Sequence, residues 1–191
     1  MDYKNLSLEE LLDYAEDPAA WYWIAMAYWA QGEFEDAAEW LEKTMNDQGN
    51  EWAAKATLNL GLAHLCLLEP ADEDKALRLF EKNPNGVMSR LNAGFLYYNG
   101  TEESRRNPAK GKEWIESAIS QLIKEDGNDN YLNPNDCLKI AEMYAEERVH
   151  SKAIEYFAKT IDRCHPNDNC FKEIAKEGIQ EALKELLNRN I

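Results

Sequence analysis

Apolar residues recur at three- and four-residue spacing in one segment after another, and polar or helix-breaking residues separate the segments. The breaks fall at Asp17-Pro18, Gln31-Gly32, Gln48-Gly49-Asn50, Glu69-Pro70, Asn83-Pro84-Asn85-Gly86, Asn99-Gly100, Asn107-Pro108, Asn133-Pro134 and His165-Pro166-Asn167. This spacing predicts helices over 7–16, 19–31, 34–47, 51–68, 72–82, 86–98, 108–124, 134–147, 150–163 and 168–189. β-branched residues are sparse, and no stretch alternates strictly over the length of a strand. An all-α protein with short connections follows.

The densest apolar stretch is WYWIAMAYWAQG, Trp21 to Gly32. At about 100° per residue its large side chains occupy three faces rather than one. Trp21, Ile24, Ala25 and Tyr28 are expected to point at a paired helix. Tyr22, Met26 and Trp29 form a second face, and Trp23 with Ala27 a third. A helix that is apolar all round has to be covered on more than one side.

The helices repeat in pairs. Ala25 is followed at fixed offsets by Tyr28, Ala37, Leu41 and Thr44, and Ala141 at identical offsets by Tyr144, Ala153, Phe157 and Thr160. Two stretched copies lie between them: Gly61, His64, Ala76, Phe80 and Asn83, then Gly94, Tyr97, Gly111, Ile115 and Ala118. A small residue on each helix lets its partner approach, and the aromatic residue three positions on fills the space beside that contact.

WYWIAMAYWAQGEFEDAAEWLEKTM and CLKIAEMYAEERVHSKAIEYFAKTI resemble the tetratricopeptide repeat. LNAGFLYYNGTEESRRNPAKGKEWIESAI resembles its longer relative, the Sel-one-like repeat. The likeness runs over residues 19–162. It implies a right-handed α-α superhelical solenoid of about four helix-turn-helix repeats in a single domain, 1–191. An N-terminal helix (1–18) precedes the repeats, and a capping helix (168–191) follows them. In that helix Ile174, Ile179, Leu183, Leu186 and Leu187 are expected to cover the last repeat. The pattern departs from the family at His64, where an aromatic ring is usual, at Gly111, where Ala is usual, and in the surplus polar loop EDGNDNYLNPND.

Charge narrows the set of partners. The net charge is -15; residues 1–51 contribute -11 of it, with only Lys4 and Lys43 as bases. Such a surface repels nucleic acid and anionic lipid. No apolar run reaches membrane-spanning length, and the N-terminus has no signal-like apolar region, so a cytoplasmic protein is expected. Cys66, Cys137, Cys164 and Cys170 show no framework spacing and are expected to be reduced and partly buried, Cys170 against the capping helix.

Candidate chemistry is thin. Cys164, His165 and Cys170 lack a second half-site for zinc, and no nucleophile elbow or phosphate loop is present. Carboxylates such as Glu33, Glu35, Asp36, Glu39 and Glu42 fall at solvent-facing helical positions. No catalytic residue, metal or cofactor is expected. Arg105, Arg106, Lys110 and Lys112 cluster in the expanded loop and the helix after it. They suit either a solvated loop or an acidic partner.

The resemblance implies a concave groove that captures a peptide or helix. Its face is Tyr22, Met26 and Trp29, then Leu58, Leu62 and Leu65, then Leu91, Phe95 and Tyr98, turning acidic at Glu142 and Glu146. Asn59 and Asn92 lie one position off that row, so a carboxylate clamp does not carry over. The expected function is a non-catalytic protein-interaction module with a protein or peptide partner. The alternatives are a regulatory or immunity-type inhibitor of one specific partner, a scaffold that homo-oligomerises through the aromatics, with a homodimer possible, and, weakest, an enzyme with a site of scattered residues. The groove is either open to a helix or filled by the chain's own N-terminal segment.

Overall fold

A computed structural model of the chain describes residues 2–101, 106–126, 129–166 and 169–188. Among the described residues it contains ten α-helices, one 3₁₀ turn at Tyr3–Asn5, and no strand. The helices are α1 (Leu8–Leu12), α2 (Pro18–Gln31), α3 (Phe34–Asn46), α4 (Ala53–Cys66), α5 (Glu73–Lys82), α6 (Val87–Asn99), α7 (Pro108–Asp126), α8 (Pro134–Glu146), α9 (His150–Arg163) and α10 (Asn169–Asn188). The chain divides into two compact units, Met1–Arg106 and Asn107–Ile191.

Caps set the helix starts. Ser7 and Glu10 form a reciprocal capping box at α1, and Asn133 and Asp136 form another at α8. Asp17 caps α2 with Pro18 in its first turn, and Asp72 caps α5. The expected first helix is cut short. After Leu12 the backbone tightens into three-residue bonds, Tyr14 N–H to the Leu11 carbonyl and Asp17 N–H to the Tyr14 carbonyl, which deliver the chain to the α2 cap.

In the first unit α2 packs on α3, α3 on α4, α4 on α5 and α5 on α6. Ala25, Ala37 and Leu41 are fully buried, as the repeat spacing requires. The N-terminal segment covers one side of α2: Tyr3 and Leu11 pack with Ala20 and Ile24, beside Trp23 and Ala27. Trp21 lies toward α3, with its indole N–H on the Ala15 carbonyl at 2.9 Å. The Lys43 ammonium sits between the Trp21 and Trp40 rings, 4.1 and 4.6 Å from their centroids.

A repeated ring–carboxylate pair links neighbouring repeats inside each unit. Leu41, Phe80 and Ile115 occupy equivalent core positions, and each is followed by a glutamate: Glu42, Glu81 and Glu116. The Tyr97 hydroxyl donates to Glu81, and the Tyr144 hydroxyl donates to Glu116 at 3.2 Å. His64 holds the equivalent ring position against Glu42, and its Nε2 is buried without a hydrogen-bond partner. Burial first, then the charge of Lys75, holds the imidazole pKa below its ordinary value, against Asp72 and Glu42.

That shift has a definite sign in stability. Above the ordinary imidazole pKa, His64 is neutral in both folded and unfolded chains, and stability does not vary with pH through it. Below that pKa the unfolded chain takes up a proton that the folded chain resists, so stability falls as pH drops toward the lowered folded value. Tyrosine at position 64 is expected to add a hydrogen bond to Glu42 worth about 1 kcal/mol and to remove this acid sensitivity. Urea midpoints followed by tryptophan fluorescence, at about pH 7.5 and about pH 5.5, check it. A wild-type chain equally stable at both pH values, with no gain in the variant, would contradict it.

In the second unit α8 packs on α9, and α10 packs on α9 and touches α8. Hydrogen bonds Tyr144–Glu116 and Lys112–Glu147 tie α7 to the α8 end. Part of the polar loop 125–136 is anchored rather than loose. Asp129, 5% exposed, takes Lys159 Nζ on one oxygen and Arg163 on the other, both at 2.7 Å. Arg163 also donates to the Asp129 and Leu132 carbonyls at 3.0 Å. Residues 127–128 of that loop lie outside the described residues.

The capping helix uses a different face from the one expected. Ile174, Leu183 and Leu187 are 40, 46 and 67% exposed, and Ile179 and Leu186 are half-buried. The buried positions are Ala175 and Ala182. Ala175 lies 34 residues after Ala141, which makes Gly178 the counterpart of Tyr144 and Ala158 the counterpart of Glu116. Both members of the ring–carboxylate pair are missing together at this last position. A Cβ on Gly178 would lie 2.3 Å from the Phe157 ring, so the α10 backbone rests directly on that ring. Small residues permit the close approach and leave the larger leucines outside. Cys170, one position off the inward face, is exposed instead of buried, as is Cys66; Cys137 and Cys164 are buried. No disulfide forms among the described residues.

Candidate partner-binding face

The expected face separates into a covered part and a half-covered part. Tyr22 is 8% exposed. Its ring stacks on Trp52 at 5.1 Å and 9°, and Trp23 meets the same indole edge-on at 5.0 Å. Asn59 donates to the Tyr22 hydroxyl at 3.2 Å and to the Met26 sulfur at 3.4 Å, which holds α4 beside α2. Burial pushes the Tyr22 phenol pKa up, against the Asn59 bond. Tyr22 is therefore packing material. So are Leu91, Phe95 and Tyr98, at 0, 7 and 3% exposure.

Met26 and Trp29 on α2, and Leu58, Leu62 and Leu65 on α4, are half-buried. Met26 and Trp29 lie against the core of Tyr22, Ala25, Leu41 and Leu60. Trp29 also meets Phe34 edge-on at 5.7 Å. The two triplets share one helical spacing, so they form parallel ridges on neighbouring helices. The N-terminal segment does not fill this face; it is docked on the Ala20–Ile24 side of α2. Asn59 serves the Tyr22 and Met26 contacts, and Asn92 donates to the Met88 carbonyl at 2.8 Å.

Trp52 was not legible as part of this arrangement. It stands at the N-cap of α4, off every periodic row, and becomes important only when α4 is laid beside α2. The signal available was a large aromatic in the first turn of the helix expected over 51–68.

The basic cluster does not act as one patch. Arg105 lies outside the described residues. Arg106 donates to the Tyr98 carbonyl at 3.2 Å, Lys112 pairs with Glu147 at 2.8 Å, and Lys110 lies 4.9 Å from the Trp114 ring centroid. Glu142 and Glu146 on α8 are exposed.

Each unit also carries a cleft. In the second unit a cleft of about 310 Å³ lies between α7, α8 and α9, bounded by Glu116, Ile123, Tyr144, Lys152, Glu155 and Tyr156. Its polar groups satisfy one another: Lys152 donates to the Tyr144 hydroxyl at 3.2 Å and Lys159 pairs with Glu155 at 2.7 Å. Burial, then Glu116, pushes the Tyr144 phenol pKa far up, and burial, then Asp129, does the same for Tyr156. Both rings are thus neutral packing groups. In the first unit a cleft of about 430 Å³ lies at the turn into α5, bounded by Pro70 to Asp74 and Thr101.

Three segments, residues 54–82, 87–121 and 138–163, match the Sel1 repeat. They coincide with α4–α5, α6 with most of α7, and α8–α9. The α2–α3 pair, with the same offsets, lies outside those matches. No curated protein matches the chain at a significant level. Among the described residues, no helix is long and apolar enough to cross a membrane.

Proposed function

The chain carries three Sel1 repeats, and on that premise we propose that it is a non-catalytic module that captures a segment of a partner protein on the face shared by α2 and α4. Sel1 repeats generally mediate protein–protein interaction and typically serve as non-catalytic scaffolds. One observation supports this face in particular. Met26, Trp29, Leu58, Leu62 and Leu65 are only half-buried, while Tyr22 and Trp52 behind them are locked in place. A thioether, an indole and leucines on a rigid base suit an incoming apolar ridge, by the ridge-and-groove packing that helices use among themselves.

The test is affinity capture with the full chain, compared with Trp29→Ser and Leu62→Ser. Each substitution is expected to lower the amount of any specific partner retained by about tenfold, the loss of one anchoring side chain. Ile123→Ser, on the exposed rim of the second-unit cleft, is expected to change nothing. Equal retention by the two face variants, together with loss in Ile123→Ser, would move the site to the second unit.

A further inference from the structure

We infer that the occupant of the α2–α4 face is a cationic amphipathic segment, whose apolar side lies on Met26, Trp29 and Leu62 and whose lysines or arginines meet the two acidic turns at its end. The inference rests on the proposed face and names the chemistry of what covers it. Both helices that build the face run into acidic turns. Glu33 N–H closes α2 on the Tyr28 carbonyl at 3.1 Å, and the next residue, Phe34, supplies the ring against Trp29. Glu33, Glu35 and Asp36 are all exposed there. Asp72 N–H bonds the His64 carbonyl at 2.7 Å, one residue before Leu65, so Asp72, Glu73 and Asp74 lie beside the end of α4.

This edge is mainly acidic, with Lys75, whose charge reaches His64, as a neighbouring cation. No lysine, arginine or histidine occurs in residues 27–42 or 65–74. The edge also receives the carbonyl ends of α2 and α4, which carry partial negative charge. The second turn is held in place: Thr101 donates to Glu73 Oε2 through its N–H at 3.0 Å and its hydroxyl at 2.9 Å, beside the 430 Å³ cleft. An anionic or neutral segment laid along the leucines would bring its end against these carboxylates unfavourably. A segment carrying cations at that end would gain from the exposed Glu33, Glu35 and Asp36 in particular, most strongly at low salt.

The experiment uses the full chain and two helical probe peptides with the same amphipathic leucine pattern, one with lysine and one with glutamate at the polar positions. Titration is followed by tryptophan fluorescence, and circular dichroism confirms that each variant is folded. The leucine–lysine peptide is expected to bind, more weakly as salt rises. It should bind about tenfold more weakly to Glu33→Gln/Glu35→Gln/Asp36→Asn. The control Glu173→Gln/Glu177→Gln/Glu181→Gln removes the same charge from α10 and is expected to leave binding unchanged.

Equal weakening by the α10 control reduces the attraction to overall charge and overturns the inference. Equal binding of the leucine–glutamate peptide, or no binding of either peptide, also overturns it. The two readings separate cleanly. If Leu62→Ser weakens both peptides and the acidic-turn variant weakens neither, the face stands and its charge preference falls. If Leu62→Ser has no effect, the face itself falls.

Discussion

Phe80→Ala is expected to destabilise the first unit by about 3–5 kcal/mol. Phe80 is fully buried, and its ring is the surface on which α4 rests. A Cβ on Gly61 would lie 2.5 Å from that ring, so the α4 backbone and the ring are in direct contact. Removing the ring leaves a cavity under the middle of the helix that carries Leu58, Leu62 and Leu65. Gly61→Ala alone is expected to destabilise as well, because its methyl has no room beside Phe80. Combined with Phe80→Ala, that methyl enters the vacated space, and the double variant should be more stable than the sum of the two losses predicts. Five of the six tryptophans, all but Trp114, lie in the first unit, so the urea midpoint by tryptophan fluorescence reports on this region. Simple additivity would show that the two residues do not share the contact described.

Asp129→Ala is expected to cost the second unit about 3 kcal/mol, near the low end for breaking a buried pair because both cations keep partial access to water. The substitution removes the Asp129 carboxylate from Arg163 and leaves Lys159 with Glu155. Burial pushes the Asp129 carboxyl pKa up, but the hydrogen bonds from Lys159 and Arg163 more than offset it and hold the carboxyl below its usual range. Its contribution is therefore fully present above the ordinary carboxylate pKa. It is lost as pH falls through the lowered folded value, below about pH 4. Asp129→Asn keeps the shape and loses the charge. It should be less stable than wild type at neutral pH and converge with it in acid. Hydrogen exchange of α9 amides across that pH range checks this, and parallel curves for the two proteins would contradict it.

The helices were legible because their breakers are strong. Asn133-Pro134 and Asp17-Pro18 both cap and start a helix, and the structure begins α8 and α2 at those prolines. The repeat offsets were legible too, because Ala25, Ala37 and Leu41 have to be small or apolar wherever two helices meet. The face of α10 was not. Periodicity weights large side chains, so Ile174, Leu183 and Leu187 looked like the contact, while Ala175, Gly178 and Ala182 make it.

The proposed face on α2 and α4 was legible only in part. Spacing placed Tyr22 with Met26 and Trp29, but it could not show that Trp52 stacks on Tyr22, since that partner comes from another helix's cap. Nor could it show that Leu91, Phe95 and Tyr98 are buried. Position on a helix face is a local property, whereas coverage depends on what the rest of the chain places there. The Asp129 anchor was hidden for the same reason: its partners lie 30 and 34 residues away.

The central claim is that a partner segment lies on α2 and α4. Its most direct test is methyl NMR of the full chain, with methionine and leucine methyls labelled, titrated with the leucine–lysine peptide. The Met26, Leu58, Leu62 and Leu65 methyls are expected to shift together and saturate at one stoichiometry, while Leu138 and Met143 in the second unit stay unmoved. Shifts confined to the second unit, or spread evenly over both, would contradict the account.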